Sequence, residues 1–354
     1  MIVANKRRSS VGRLLPLFDA PPAPPTTRAI AALVKERGLG AFDAAPERAD
    51  HARYQEVTCR SALNRVEGMP FRWTLNPYRG CTHGCHYCFA RRYQTQFELG
   101  PDDEFSSVIL VKVNFVEVLR RELASSGWRR ELVAFGTATD PYQPIEGHYR
   151  LTRRALEALA EARTPVGLVT KGPRVVRDRD VLQDLARRAG CTVSVSVPTV
   201  DEAAWASLEP GTAHPRQRLR AVRKLREAGI DAGVLMAPIV PGITSHPRLL
   251  ERTVQAIAES GAAFVGMNLL HLEGGTRDHF MRFLAQAYPH LVAGYERLYR
   301  GKYAPKPYAA RVRELVDALK RKHGIGAERV RAPGEAQPAG VDRSREVRQG
   351  ALPW

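Results

Sequence analysis

From residue 71 onward, short runs of β-branched and other apolar residues alternate with longer stretches in which apolar positions recur at helical spacing. The short runs predict buried strands, and the longer stretches predict amphipathic helices. This alternation is typical of βα units built around a parallel sheet. Six strands are predicted, at Arg72–Asn76, Glu131–Gly136, Val166–Thr170, Thr192–Val197, Ile230–Met236 and Ala263–Leu269.

Five amphipathic helices are predicted between these strands. Proline stands in the first turn of two of them, which is a common start signal, and glycine follows three of them, which is a common end signal. The predicted helices are Val113–Ser125, Leu151–Arg163, Asp178–Ala189, Pro215–Ala228 and Pro247–Ser260. Six βα units predict a curved, partly closed (β/α)6 barrel, because a complete barrel of this kind needs eight units.

The segment before the predicted barrel is expected to be an N-terminal extension of residues 1–69. Residues 1–27 end in the proline run APPAPPTT, which favours an extended, unpacked chain and predicts disorder. A short helix is predicted at Ala31–Arg37. The barrel core is then expected to occupy residues 70–275.

The segment after the barrel is expected to be a C-terminal helical region of residues 276–325. Two helical stretches are predicted there, at Thr276–Tyr299 and Lys306–His323. Residues 326–354 are rich in proline, glycine, glutamine and charge, so we predict a disordered tail.

The composition is that of a globular protein, with 44% hydrophobic and 26% charged residues. No stretch reaches the ~18 consecutive apolar residues of a membrane helix. The basic start of the chain lacks the continuous apolar segment and the small-residue cleavage site of a secretory signal. We therefore expect a cytoplasmic protein that does not bind a membrane.

The net charge is +17, from 54 basic and 37 acidic residues. Such a surplus attracts polyanions, of which nucleic acid is the usual one. The basic residues are scattered along the sequence, however, and most are arginine, so the codon bias of a GC-rich gene explains the surplus equally well. Charge alone leaves both interpretations open.

Three of the five cysteines, Cys81, Cys85 and Cys88, fall within one loop after the first predicted strand. Loops at the carboxyl ends of barrel strands carry the chemistry of this architecture. Three thiolates on one loop suit an iron–sulfur cluster or a zinc ion, and His83 or His86 could complete a Cys3His zinc site. The spacing CxxxCxxC differs from the paired CxxC knuckles of structural zinc sites. A cluster held by three cysteines also keeps one iron free for another molecule.

The motif Cys81-x3-Cys85-x-Tyr87-Cys88, after a first strand and within a pattern of six βα units, resembles the radical S-adenosylmethionine (SAM) superfamily. The resemblance implies a [4Fe–4S] cluster on the three cysteines, with the methionine moiety of SAM on the fourth iron. Reductive cleavage of SAM would then give a 5′-deoxyadenosyl radical that takes hydrogen from a substrate. An electron donor, a flavodoxin or a ferredoxin, is implied as a partner.

Several further segments resemble the DNA repair photolyase group, the relatives of spore photoproduct lyase. They are residues 76–81, 88–91, 136–146, 170–171, 194–199 and 237–242, with a lead-in at 63–70. This resemblance implies an enzyme that acts on nucleic acid. The alternatives are a radical SAM enzyme for a peptide or a small molecule and, from another class, a Cys3His zinc protein that binds nucleic acid.

The resemblance also implies a set of SAM-binding residues at the ends of the predicted strands. Asp140 would accept from the SAM ammonium group, Thr139 would bind the carboxylate, and Lys171 would neutralise that carboxylate. The alternative interpretations are an Asp-Pro turn for Asp140, a solvated loop lysine for Lys171 and packing for the others. The full predicted set is Tyr87, Phe89, Thr139, Asp140, Lys171, Ser196 and Ala237.

One position departs from the pattern of spore photoproduct lyase. Those enzymes carry a cysteine after the second strand that returns hydrogen to the product radical, whereas this chain has Thr137 there. Cys191 begins a predicted strand and is expected at the opposite mouth of the barrel, and Cys59 has no predicted place. No catalytic hydrogen donor is therefore predicted, and repair of the spore thymine dimer is not expected.

Overall fold

The computed structural model describes residues 52–97 and 100–325 of the 354-residue chain. The predictions for residues 1–27, for Ala31–Arg37 and for the tail at 326–354 lie outside the described residues. Within the described ranges, no helix is both long enough and apolar enough to span a membrane.

Two sheets are formed by ten strands in the described residues. These strands are β1 (Arg53–Val57), β2 (Leu63–Arg65), β3 (Trp73–Leu75), β4 (Tyr78–Arg79), β5 (Val108–Lys112), β6 (Val133–Phe135), β7 (Val166–Thr170), β8 (Cys191–Ser196), β9 (Asp231–Ile239) and β10 (Val265–Leu269). The larger sheet has the order β10-β9-β8-β7-β6-β3-β2. Its first six members are all parallel, and they are the six strands that the sequence predicts. The architecture is the α/β partial barrel expected from the alternating pattern.

Eleven α-helices are present in the described part of the chain. They are α1 (Glu104–Ser107), α2 (Phe115–Leu123), α3 (Glu146–Tyr149), α4 (Leu151–Glu161), α5 (Arg179–Arg188), α6 (Glu202–Leu208), α7 (Pro215–Glu227), α8 (Pro247–Glu259), α9 (Gly275–Ala287), α10 (Val292–Leu298) and α11 (Lys306–Lys322). Short 3-10 helices run over Phe89–Phe97, Pro173–Asp178 and Pro289–Leu291. The predicted single helix Thr276–Tyr299 is thus two helices, because Pro289 lacks the N–H that a continuous helix would need.

A parallel strand cannot follow its neighbour through a tight turn, so each pair of barrel strands is joined by a crossover that contains at least one helix. The registers place Val133 opposite Val166, and Val166 opposite Cys191. Neighbouring strands therefore end close together, and the loops after them gather at one edge of the sheet. That edge carries the site described below, whereas Cys191 begins β8 at the other edge, as predicted.

The stretch before residue 69 contributes two strands that the sequence does not reveal. β2 pairs antiparallel with β3, and β1 pairs parallel with β5, a strand inside the first βα connection. β5 is buried along its whole length and pairs also with β4. This second sheet covers the start of the cysteine-bearing loop. The division of the chain at residue 69 stays a prediction.

Candidate active site

A cavity of about 480 Å³ opens at the carboxyl ends of the parallel strands. Its walls come from the loops after β3, β6 and β7 and from the ends of β8, β9 and β10. All ten residues that the sequence predicts for the site line this one cavity: Cys81, Cys85, Tyr87, Cys88, Phe89, Thr139, Asp140, Lys171, Ser196 and Ala237.

The cysteine loop, residues 81–88, is anchored by backbone hydrogen bonds to two other segments. Its first N–H, from Cys81, donates to the Phe105 carbonyl at 2.9 Å, and the His86 N–H donates to the Leu208 carbonyl at 3.0 Å. The residue before the loop is Gly80, with φ of +75°, and a Cβ there would lie 2.5 Å from the Val108 carbonyl oxygen. Only glycine fits this close approach to β5, so β5 sets the path of the chain into the loop.

Arg91 fixes the loop from behind and is 2% exposed. Its guanidinium donates to the carbonyls of Cys85 at 3.0 Å and Gly84 at 2.8 Å, and to those of Pro101 and Asp102, both at 2.8 Å. Four carbonyls from two segments are thereby joined by one planar cation. The sequence does not reveal this role, because a buried arginine that bonds to the backbone has the same local sequence pattern as a solvent-exposed one.

Cys81 and Cys85 are buried in the cavity wall, and Cys88 is partly exposed. Burial raises the pKa of the Cys85 thiol to about 12, and the nearby Lys171 ammonium lowers it. Within residues 52–97 and 100–325, no three His, Cys, Asp or Glu side chains are placed to hold a metal ion. The three cysteines line one cavity. Three thiols on one loop are a donor set that suits an iron–sulfur cluster.

The two histidines of the loop are engaged elsewhere, which does not support the Cys3His zinc alternative. The His86 Nδ1 lies 3.0 Å from Nε2 of His279, and its ring stacks on Phe283 with centroids 4.1 Å apart. The His83 Nδ1 lies 3.4 Å from Oδ2 of Asp140. Burial lowers the pKa of His83, although Asp140 opposes the effect.

Asp140 holds the ends of two strands together. Its Oδ1 accepts from the Thr170 hydroxyl at 2.6 Å and the Tyr142 N–H at 2.9 Å, and its Oδ2 accepts from the Lys171 N–H at 2.5 Å. Both carboxylate oxygens thus accept hydrogen bonds from the protein, which agrees with the alternative interpretation of Asp140 as part of an Asp-Pro turn. The carboxylate lines the cavity, but its geometry favours a role in shaping the loop from which Lys171 projects.

Thr139 and Ser196 also use their hydroxyl groups within the protein. The Thr139 hydroxyl donates to the Gly80 carbonyl at 2.6 Å, and the Ser196 hydroxyl donates to the Ala237 carbonyl at 3.2 Å. Asn76, which sequence analysis quotes without a role, accepts from the Ala138 N–H at 2.8 Å and donates to Thr137 at 3.3 Å. These bonds tie the loops after β3 and β6 into one rigid wall.

Behind the cavity wall lies a buried ionic network that the sequence does not indicate. The Tyr87 hydroxyl donates to Glu209, and the Arg218 guanidinium donates to the same carboxylate at 2.5 Å. Nζ of Lys171 lies 4.0 Å from Glu209 and 5.6 Å from the centroid of the Tyr87 ring. Thr212 also donates to Glu209 and accepts from Arg218. Two predicted site residues, Tyr87 and Lys171, thus share an unpredicted partner.

The outer part of the cavity is apolar and open. Four large apolar side chains are markedly exposed in the described residues, and two of them, Met69 at 52% and Phe89 at 41%, line the cavity. A third, Tyr303 at 64%, stacks on His271, another lining residue, with centroids 4.7 Å apart. Phe89 also meets the ring of Tyr93 edge-on at 6.2 Å. Exposed apolar groups gathered at a cavity mouth mark a binding surface.

Two arginines near this mouth, Arg91 and Arg92, have partners within the protein. Arg91 is buried and donates to four backbone carbonyls, as described. Arg92 donates to Glu273 at 2.5 Å and to the Tyr93 hydroxyl at 2.9 Å. Both arginines thus contribute to the structure around the site.

The family model of the radical SAM superfamily matches residues 75–251. An uncharacterized protein of Mycobacterium tuberculosis (strain ATCC 25618 / H37Rv) is 40% identical over 294 residues, or 82% of this chain and 86% of that relative. The radical SAM Nalpha-GlyT isomerase of Pseudomonas phage M6 is 29% identical over 177 residues, or 48% of this chain and 34% of the isomerase. A spore photoproduct lyase mutant solved with bound AdoMet and dinucleoside spore photoproduct is similar in fold, with a TM-score of 0.59 and 17% identity over 79% of this chain and 82% of the lyase.

The family match and the identity to the mycobacterial relative agree with the fold and with the cysteine loop at its expected edge. Membership implies a [4Fe–4S] cluster and SAM as cofactors, and it implies a reductant. The shared fold with spore photoproduct lyase confirms the partial barrel. This chain belongs to the radical SAM superfamily of enzymes.

Proposed function

We propose that Cys81, Cys85 and Cys88 bind the [4Fe–4S] cluster and that SAM is cleaved reductively in the adjoining cavity. The observation that carries this proposal is that all ten predicted residues line one cavity at the ends of the parallel strands. The cluster held there would supply one electron to the SAM sulfonium, which would break the S–C5′ bond to give methionine and a 5′-deoxyadenosyl radical. The chain itself would hold the thiolates in place and orient SAM.

The methionine end of SAM is assigned to the wall that carries Lys171. Lys171 follows the end of β7 and lines the cavity, and its backbone N–H donates to Asp140. Burial lowers the pKa of Lys171, but the negative charge available at Cys85 and Glu209 raises it overall, so the group is a cation at neutral pH. A fixed cation there suits the SAM carboxylate. Tyr87, Phe89 and the end of β9 at Ala237 supply the apolar walls for the remainder of the molecule.

A substrate with a nucleobase is the class that the outer cavity supports best. Phe89, Tyr93 and the stacked pair His271 and Tyr303 offer flat faces beside the predicted cluster, and bases stack favourably on aromatic side chains. The phage relative is named for a GlyT substrate, and the lyase of similar fold holds a dinucleoside. The dinucleoside supports a nucleobase-containing substrate for this chain as well.

A peptide or another small molecule is the second candidate, and one observation favours it. Arg91 is buried and Arg92 is paired with Glu273, so these two arginines beside the cysteine loop are engaged within the protein, whereas duplex DNA is bound through many phosphate contacts. A peptide, a small molecule or a single nucleotide needs fewer such contacts than a duplex. We therefore place single-stranded DNA or a nucleotide first, a peptide or another small molecule second, and duplex DNA last.

The experiment uses protein whose cluster has been reconstituted anaerobically, with SAM and dithionite, or with flavodoxin or ferredoxin as the proposed physiological electron donors. The probes are single-stranded oligonucleotides made from deuterated thymidine and, as the alternative, a pool of short deuterated peptides. Deuterium that appears in 5′-deoxyadenosine only with the oligonucleotides supports a nucleobase substrate. Deuterium that appears only with the peptides refutes it, and a protein that retains no iron refutes the proposal as a whole.

A further inference from the structure

We infer that Glu209 is a positioning residue, which holds Tyr87 and Lys171 at the wall of the cofactor cavity and places one negative charge beside the cluster. The inference rests on the proposed function, because it takes the cysteine loop to be the cluster site. Glu209 does not itself line the cavity. It acts through its two neighbours, one on the cysteine loop and one at the end of β7.

The contacts show how closely the carboxylate is tied to the loop. Tyr87 lies between the second and third cysteines, and its hydroxyl donates to one oxygen of Glu209. The same oxygen lies 4.0 Å from Nζ of Lys171. A side chain that carries both contacts couples the path of the cysteine loop to the position of the ammonium. Glu209 is 2% exposed, so neither contact is screened by solvent.

Arg218 keeps the carboxylate in this buried place. Its guanidinium is fully buried and donates to Glu209, to the Ser196 carbonyl at 2.8 Å and to the Ala213 carbonyl at 2.8 Å. Burial raises the pKa of Glu209, but Arg218 and Lys171 hold it below its usual value overall. The carboxylate is therefore an anion at neutral pH, and its orientation is set by an arginine that cannot move without losing four bonds.

The charge has a definite effect on a redox group beside it. Reduction adds an electron to the cluster, and a nearby anion opposes that addition, so the net charge around a cluster is one determinant of its potential. Removing the negative charge of Glu209 should therefore shift the cluster potential in the positive direction. Removing only the hydrogen bond to Tyr87 should weaken SAM binding and leave the cluster potential unchanged. The two effects can be measured separately.

The variants are Glu209→Gln, which removes the charge, and Glu209→Asp, which keeps the charge but withdraws the carboxylate from Tyr87. The matched control is Glu146→Gln. Glu146 is also fully buried, accepts from a tyrosine hydroxyl at 2.5 Å (Tyr78) and pairs with an arginine at 3.2 Å (Arg177), but neither Glu146 nor Tyr78 lines the cavity. Iron content and thermal stability of each reconstituted protein are measured first.

The readouts are an EPR-monitored redox titration of the cluster and the Kd of SAM by equilibrium dialysis. We expect a positive shift of the potential for Glu209→Gln and a wild-type potential for Glu209→Asp. For both variants we expect a Kd of SAM about tenfold higher, which corresponds to weakening one hydrogen bond to a charged group. Glu146→Gln should match wild type in both readouts. Wild-type potential and Kd in Glu209→Gln at normal iron content would overturn the inference, as would an equal change in the control.

If Glu209→Gln does not retain the cluster, Tyr87→Phe supplies the second measurement. It removes only the hydroxyl that donates to Glu209, and we expect normal iron content with a raised SAM Kd. A wild-type Kd in both Tyr87→Phe and Glu209→Asp would overturn the positioning role. A wild-type protein without a cluster refutes the proposed function instead, so the two failures are distinguishable.

Discussion

The carboxylate of Asp140 provides the sharpest test of how the site is built. The structure shows both of its oxygens accepting hydrogen bonds from the protein, whereas the family resemblance assigns it to the SAM ammonium group. Asp140→Asn separates the two roles, because the amide has the same size but only one acceptor. If Asp140 holds the strand ends, the change destabilises the protein even without cofactors. If it serves only SAM, the cofactor-free protein keeps its stability.

If Asp140 holds the strand ends together, Asp140→Asn should lower the free energy of unfolding in either orientation of the new amide group. In one orientation the amide oxygen of the variant accepts from Tyr142 and Thr170, and its NH2 group then faces the Lys171 N–H. In the flipped orientation the NH2 group faces the Tyr142 N–H, which lies 2.9 Å from the carboxylate in the wild type. One backbone N–H therefore loses its partner, which costs roughly 1–3 kcal/mol, and a charge-assisted bond worth roughly 1.5–3 kcal/mol is lost or weakened. We expect a loss of about 3 kcal/mol in the free energy of unfolding, or a Tm lower by about 6–12 °C.

The assay is thermal and urea unfolding of the cofactor-free protein under anaerobic conditions, followed by cofactor measurements on the reconstituted protein. Asp184→Asn is the control, because Asp184 is a partly exposed carboxylate that pairs with Arg187 and Arg188 within α5, and it should cost less than about 1 kcal/mol. An Asp140→Asn protein as stable as the control, with weakened SAM binding, would refute the structural role and restore the ammonium contact.

Three further outcomes follow from the same contacts. Alanine at any of the three cysteines of the cysteine loop should abolish iron binding and SAM cleavage, whereas Cys59→Ala and Cys191→Ala should retain iron; a Cys191→Ala protein without its cluster would contradict the assignment. Arg91→Lys should lower the iron content strongly under reconstitution, because one ammonium cannot donate to four carbonyls of two segments as the guanidinium does; normal iron content would show that the loop needs no such anchor. Burial lowers the pKa of Lys112 to about 8, below the ~10.4 of an unfolded lysine. The buried charge therefore lowers the free energy of unfolding by its full amount below pH 8, and this destabilisation disappears above about pH 10.5. Lys112→Met should therefore raise the free energy of unfolding at pH 7 by about 2 kcal/mol after the loss of one hydrogen bond, and unfolding curves should show the gain disappear towards pH 10.5; a gain that does not depend on pH would contradict the shifted pKa.

The local pattern of the sequence was sufficient to predict the six parallel strands and the edge of the sheet at which the cavity lies. A βα alternation places the carboxyl ends of the strands at one edge, and residues at those ends must then lie close together whatever the details of packing. For this reason Cys85, Lys171 and Ala237 line one cavity although they are far apart in the chain, and their roles in a site stay a prediction. The spacing of the cysteines pointed to the family for the same local reason, since all three lie on one loop.

The tertiary structure decided which polar groups face each other. Tyr87 and Glu209 are 122 positions apart, and no periodicity relates a loop residue to the residue that follows a helix on another unit. The burial of Arg91 and the internal partners of Asp140 depend likewise on which segments pack together, because an isolated sequence pattern is the same for a solvated side chain and a buried, fully bonded one. β5 escaped prediction because its partners lie outside the βα rhythm. Local periodicity thus determined where this protein's chemistry lies, and long-range packing determined which side chains hold it there.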